Sequence, residues 1–163
     1  MTVYDLTVAE DGLKMKESAG STPPEPDDPW APPEYTAGKD GYPVFPAGHG
    51  GVAGVGGHYR WVGFDVSLQD IVKTLSFYLG GPVMDATHLN GKYDVDLRWW
   101  IDIAWATERA GYPNLVKDVP DLGPSGPPLT RAVHDQLGLS LHARKGQGDV
   151  VVIDHLEKLP AEN

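Results

Sequence analysis

Cysteine is absent from the 163 residues. Disulfides, thiolate metal sites and cysteine nucleophiles are excluded together, and packing alone must stabilise the chain. That absence suits an oxidising compartment as well as a reducing one. No run approaches the ~20 apolar residues needed to span a bilayer, which predicts no membrane insertion. The opening Met1-Thr2-Val3-Tyr4-Asp5 has neither the basic nor the apolar region of a signal peptide. Basic residues are also scarce, 13 against 23 acids for a net charge of −10. Such a surface repels phosphate backbones and anionic headgroups, so nucleic acid is not an expected partner.

What is present is glycine and proline, 20 and 15 of them, beside 40% apolar residues. A chain of this length buries roughly 70% of its unfolded surface on folding, enough for one real core. The expectation is a single α+β domain over residues 1–163 carrying long irregular excursions. Residues 20–57 hold 8 Pro and 9 Gly in 38 positions, which stops both helical and ladder hydrogen bonding. The first part of this loop favours polyproline II and the stretch 48–57 favours flexibility. It is either disordered, functional, or tacked to the body by Trp30, Tyr35, Tyr42 and Phe45.

Patterning supplies the regular elements. Val3 to Val8 alternates as a first strand, and His58 to Val66 reads as another. Ser67 with Asp70 three residues on resembles a capping box, and Leu68, Ile71, Val72, Leu75, Tyr78 and Leu79 then recur at helical spacing up to Gly80-Gly81-Pro82. Residues 82–86 predict a short strand. Behind the Asn90-Gly91 turn, Tyr93, Val95, Leu97 and Trp99 alternate with charged neighbours, giving a ribbon with one buried face. Residues 100–112 fit a continued strand or a short amphipathic helix. Leu129, Ala132, Val133 and Leu137 mark a second helix closed by Gly138, and residues 139–144 with 149–155 read as a hairpin. The fold predicted is a mainly antiparallel sheet of about five or six strands with two helices packed on one face and a long Pro/Gly-rich loop.

Three segments resemble a known family. Val3-Tyr4-Asp5-Leu6-Thr7-Val8-Ala9 leads into Gly12-Leu13-Lys14-Met15-Lys16. Leu79-Gly80-Gly81-Pro82-Val83-Met84-Asp85 continues through Thr87 and Leu89 to Gly91-Lys92-Tyr93-Asp94-Val95-Asp96-Leu97-Arg98-Trp99. Gln136-Leu137-Gly138-Leu139, Arg144-Lys145, Val151-Val152-Ile153-Asp154-His155-Leu156-Glu157-Lys158 and the closing Glu162-Asn163 form the third. Together they are similar to the C-terminal half of the acidobacterial soil-associated paralogous family, whose members are mostly exported and have no assigned activity. The resemblance implies a secreted or periplasmic location, and an N-terminal half with its export signal that this chain lacks, making it a fragment, a processed product or a shortened relative. Similar domains fused to membrane-bound regulators that resemble β-lactam-sensing metalloproteases imply a sensing or binding role.

Candidate chemistry is sparse. His134, His142 and His155 could converge as a metal site, since neutral imidazole suits zinc, copper and nickel; no His-Glu-x-x-His spacing accompanies them, and a solvent-facing His134 with His155 at a strand end is the plainer alternative. Ser140 with Asp154 and His155 lacks the Gly-x-Ser-x-Gly elbow of a hydrolase. Asp94 and Asp96 could act as paired carboxylates or calcium ligands, against the plainer alternative of a solvated strand face. Gly54-Val55-Gly56-Gly57 precedes a strand and no Lys, so it is not a phosphate loop. Trp61, Trp99, Trp100 and Trp105 with Tyr59 and Tyr93 could build an aromatic platform for a small molecule, glycan or peptide, although core packing competes for the same rings. The functional expectation is a non-catalytic binding or sensory domain needing no cofactor; the alternatives are a histidine-cluster metalloenzyme and a structural subunit of a larger assembly.

Overall fold

The structure, a computed structural model, describes residues 1–20, 35–101 and 126–146. Among these residues nine strands occur: β1 (Thr2–Val8), β2 (Lys16–Glu17), β3 (Thr36–Ala37), β4 (Pro43–Val44), β5 (Gly51–Val55), β6 (His58–Ser67), β7 (Val83–Asp85), β8 (Lys92–Trp100) and β9 (Leu139–Lys145). Helix α1 spans Leu68–Leu79, and α2, Leu129–Ala132, passes straight into a π-helical turn, Val133–Leu137.

The single sheet expected from sequence is not formed. The strands divide into three sheets, ordered β7-β1-β9, β2-β8-β6-β5 and β3-β4, and β1 with β7 is a parallel pair. Strand dominates, and the two helices are short. The physical reason lies at Ser67. It ends β6 and caps α1 in one step: its hydroxyl accepts from the Asp70 backbone N–H at 3.2 Å, while the Asp70 carboxylate accepts from the Ser67 N–H at 3.4 Å. The Ser67 hydroxyl also lies 2.7 Å from the Asp70 carboxylate, and its hydrogen bond, with that from the Ser67 N–H, holds the Asp70 carboxyl below the usual carboxylate range. The helix therefore leaves the β6 sheet at once and delivers the chain to β7, beside β1. Gly80 in the left-handed region, φ 65°, closes α1 on the Ser76 carbonyl.

A second correction concerns the glycine-rich stretch 48–57. Instead of a flexible loop it contains β5, antiparallel to β6 from Gly51↔Val62 to Val55↔His58. Tyr35, Tyr42 and Phe45 do fasten the preceding segment to the body. Tyr35 packs on Phe45 at 4.8 Å, Tyr42 meets the buried His58 edge-on at 4.9 Å, and the Arg60 guanidinium lies over Phe45 at 5.7 Å. Trp30 falls outside the described residues, as do residues 102–112 and the expected partner strand 149–155.

One hydrophobic cluster joins the layers. Leu6, Ile71, Leu75, Leu97, Trp99 and Leu139 are almost wholly enclosed, and Leu129, Ala132, Val133 and Leu137 of the second helix pack into the same cluster. On β8 the alternation read from sequence holds: Tyr93, Val95, Leu97 and Trp99 are buried. β6 bulges between Gly63 and Val66, placing Asp65 at φ 52°. Asp65 is held there by its N–H donating to the Asp94 carboxylate at 3.1 Å and by Lys92 at 3.0 Å.

The π turn has a structural consequence. It aims Gln136 at the backbone of Arg98 on β8, where the side-chain oxygen accepts from the Arg98 N–H at 2.9 Å and the amide nitrogen donates to the Arg98 carbonyl at 2.7 Å. Gln136 thus stands in for a neighbouring strand past the end of β2. Gln136→Leu strips both partners from a half-buried peptide group, and each orphaned group costs about 1–3 kcal/mol. Denaturant unfolding is expected to show a loss of about 2–4 kcal/mol, with Gln136→Glu, which keeps only the acceptor, falling between.

Candidate functional site

β8, α1, β1 and α2 all finish or begin at one end of the molecule, and their meeting leaves a cleft of about 350 Å³. Its described walls are Tyr78 and Leu79 from the last turn of α1, Tyr4 from β1, Trp100 and Ile101 at the exit of β8, and Pro128, Leu129 and Thr130 at the start of α2. Each wall is fixed by local bonding. The Trp100 N–H donates to the Pro127 carbonyl at 2.9 Å and the Ile101 N–H to the Gly57 carbonyl at 2.8 Å, which pins the β8 exit between two loops. The Tyr4 N–H donates to the Pro82 carbonyl at 2.9 Å. Gly81 allows that approach, because a Cβ there would stand 2.6 Å from the Thr2 carbonyl oxygen.

The tacked loop supports this end as well. A Cβ on Gly126 would collide with the Tyr42 hydroxyl and stand 3.0 Å from the Trp100 Cβ. Gly126 therefore lets Tyr42 back up the wall that Trp100 forms. Burial pushes the hydroxyls of both Tyr42 and Tyr78 above the usual tyrosine range, with Tyr59 adding to the effect at Tyr78. Both remain neutral hydrogen-bonding groups. None of the described lining residues carries charge.

The expected aromatic platform is divided by the fold. Trp99, fully buried, stacks on Tyr59 at 5.6 Å and meets Tyr78 edge-on at 5.1 Å. Trp61 is also a core residue. Tyr59 is half-buried, its ring lying against Gly54, where a Cβ would stand 2.7 Å from it. Trp100 alone of the proposed described rings lines the cleft; Trp105 lies outside the described residues. Tyr4, Tyr78 and Leu79 were legible as parts of apolar stripes but not as a cleft, because that role needs the ends of separate elements to meet.

Among the described residues His134 and His142 share no partner. His134 Nδ1 lies 3.1 Å from the Asp135 carboxylate and Nε2 lies 3.8 Å from that of Asp11, whereas His142 Nε2 lies 3.2 Å from the Thr7 hydroxyl on the neighbouring strand. His155 is outside the described residues. Among the described residues no group of three His, Asp or Glu side chains is placed to hold a metal ion. Asp96 is gripped by Arg60 through two bonds of 2.9 and 2.8 Å, and Asp94 by the β6 bulge, so both carboxylates serve the sheet. Ser140 sits on β9 opposite Thr7, and Asp154 is not among the described residues. No helix among the described residues is long and apolar enough to cross a membrane.

A family model described as a protein of unknown function, DUF3738, matches residues 1–156. Neither the curated proteins nor the solved structures contain a match to the chain.

Proposed function

The chain belongs to the DUF3738 family of proteins of unknown function, and from that premise we propose a non-catalytic binding domain whose ligand is a neutral, largely apolar small molecule seated beside Trp100. The observation that supports it is the cleft itself: about 350 Å³, walled by Tyr4, Tyr78, Leu79, Trp100 and Ile101, and free of charge along its described lining. That volume is at the lower end for small-molecule pockets, and apolar walls with a few hydroxyls at the margin are their usual composition. A charged ligand would lose its hydration there without gaining a counter-charge. The tyrosine hydroxyls and Thr130 supply orientation. An acidobacterial, soil-associated origin and a sensory role outside the cytoplasmic membrane belong to the same proposal and rest on the family resemblance alone.

The test uses N-phenyl-1-naphthylamine, an uncharged fluorescent probe of apolar sites, titrated into the purified chain. Saturable binding is expected, weakened at least about tenfold by Trp100→Ala and by Thr130→Trp, a loss equal to about 1.4 kcal/mol. Thr130 is exposed, so its replacement fills the cleft mouth without touching the core. Unsaturable binding, or binding indifferent to both replacements in folded protein, overturns the proposal.

A further inference from the structure

We infer that β5 is the edge through which two copies of this chain pair, antiparallel and across a two-fold axis. The inference is independent of the cleft and starts from how the sheet edges end. An unpaired edge strand presents a row of N–H and C=O groups that templates another strand, and proteins blunt such edges with charge, brevity, proline or internal capping.

Every other described edge carries one of these devices. β2 is two residues, Lys16 and Glu17, both charged, and β3 and β4 are equally short. β7 is three residues long, with the Val83 N–H already donated to the Ser76 hydroxyl at 3.0 Å. β9 ends in Arg144 and Lys145.

β5 has none. It runs five residues, Gly-Val-Ala-Gly-Val, with no proline and no charge. Among the described residues its backbone makes no hydrogen bond beyond those of the β6 ladder. The Tyr59 ring lies against Gly54 from the paired β6 side, and among the described residues no strand but β6 is bonded to β5.

Charge indicates what pairs there. The whole chain carries −10, yet residues 41–59 contain no Asp, Glu, Lys or Arg, and β5 lies in that interval. Along that interval the chain adds no charge of its own to oppose a second, equally acidic copy, whereas a basic peptide would find no carboxylate along the strand to hold it. A two-fold pairing sets each strand against an identical antiparallel one, so the edge is complementary to itself. Five residues of ladder make a weak association that long-range repulsion opposes and added salt relieves.

Sedimentation velocity from about 1 μM to about 300 μM protein spans the affinity of so small an interface. The expected result is a reversible dimer that tightens at least about threefold as salt is raised to about 0.5 M, the sign set by screening of like charge. Amide hydrogen exchange is expected to slow with concentration within residues 51–55. Val55→Lys, in protein shown to be folded by thermal melting, is expected to weaken the dimer at least tenfold. A monomer across the range overturns the inference. So does a dimer loosened by salt, or one whose concentration-dependent protection lies outside β5; the exchange measurement decides the question even if the lysine variant fails to fold.

Discussion

Trp99→Ala is expected to lower the unfolding free energy by about 3–5 kcal/mol, among the largest effects available to a single side chain. The indole is fully buried and bounded by Tyr59 on one face and Tyr78 at its edge, so truncation removes two ring contacts as well as a large apolar surface. With domains stable by only about 5–15 kcal/mol, the variant is expected to approach the limit of folding near 37 °C. Trp99→Phe separates two contributions. The buried indole nitrogen has no hydrogen-bond partner among the described residues, and an orphaned buried donor costs about 1–3 kcal/mol. Phenylalanine removes that cost while retaining most of the ring, so its net effect should be far milder than alanine's. Urea titration of the three proteins gives both numbers; a cost under about 1 kcal/mol for alanine is inconsistent with an enclosed indole.

Gly138→Ala carries the second large effect. Gly138 sits at φ 68°, where an alanine costs about 1–2 kcal/mol from its own backbone. Its Cβ would in addition collide with the Gly12 carbonyl oxygen and stand 2.5 Å from the Lys14 nitrogen. Those atoms cannot retreat cheaply, because this loop is bonded to the helix end: the Ala9 N–H donates to the Gly138 carbonyl at 2.9 Å and the Lys14 N–H to the Leu137 carbonyl at 3.0 Å. The sum is expected to exceed about 3 kcal/mol. Gly12→Ala is the internal control. Its φ of 93° is also strained, but a Cβ there meets nothing within 4 Å, so a shift of only about 1 kcal/mol is expected. Equal destabilisation by the two replacements would mean that the loop does not press on Gly138.

Local physics made much of the molecule legible. Ser67, Asp70 and Gly80 bound α1 because capping is decided within a few residues. The alternation along β8 was equally local, and it already assigned Trp99 to the buried side with Leu97. Trp99 was open to two readings, a ring of a ligand platform or a core side chain, and its indole is enclosed in the core. What could not be read is pairing. Nothing in Val83-Met84-Asp85 specifies a parallel partner in β1, and nothing in Gly51 to Val55 distinguishes a strand from a flexible tether until β6 lies beside it. The π turn was hidden as well, because Leu129, Ala132, Val133 and Leu137 satisfy ordinary helical spacing. The cleft escaped for the same reason as the sheets, since four separate element ends define it and only Trp100 among them stands out by residue type.

The pairing of β1 with β9 also sets a schedule for synthesis. Asp5 and Arg144, joined by a 2.7 Å bond across those strands, lie 139 positions apart. At about 5–20 residues per second, a nascent β1 waits on the order of 7–30 s for its partner to be translated. Throughout that interval Leu6, wholly enclosed in the finished protein, has no strand on its β9 side. β1 therefore leaves the ribosome long before the strand that shelters it, and the nascent chain needs chaperone cover at β1 until β9 has followed.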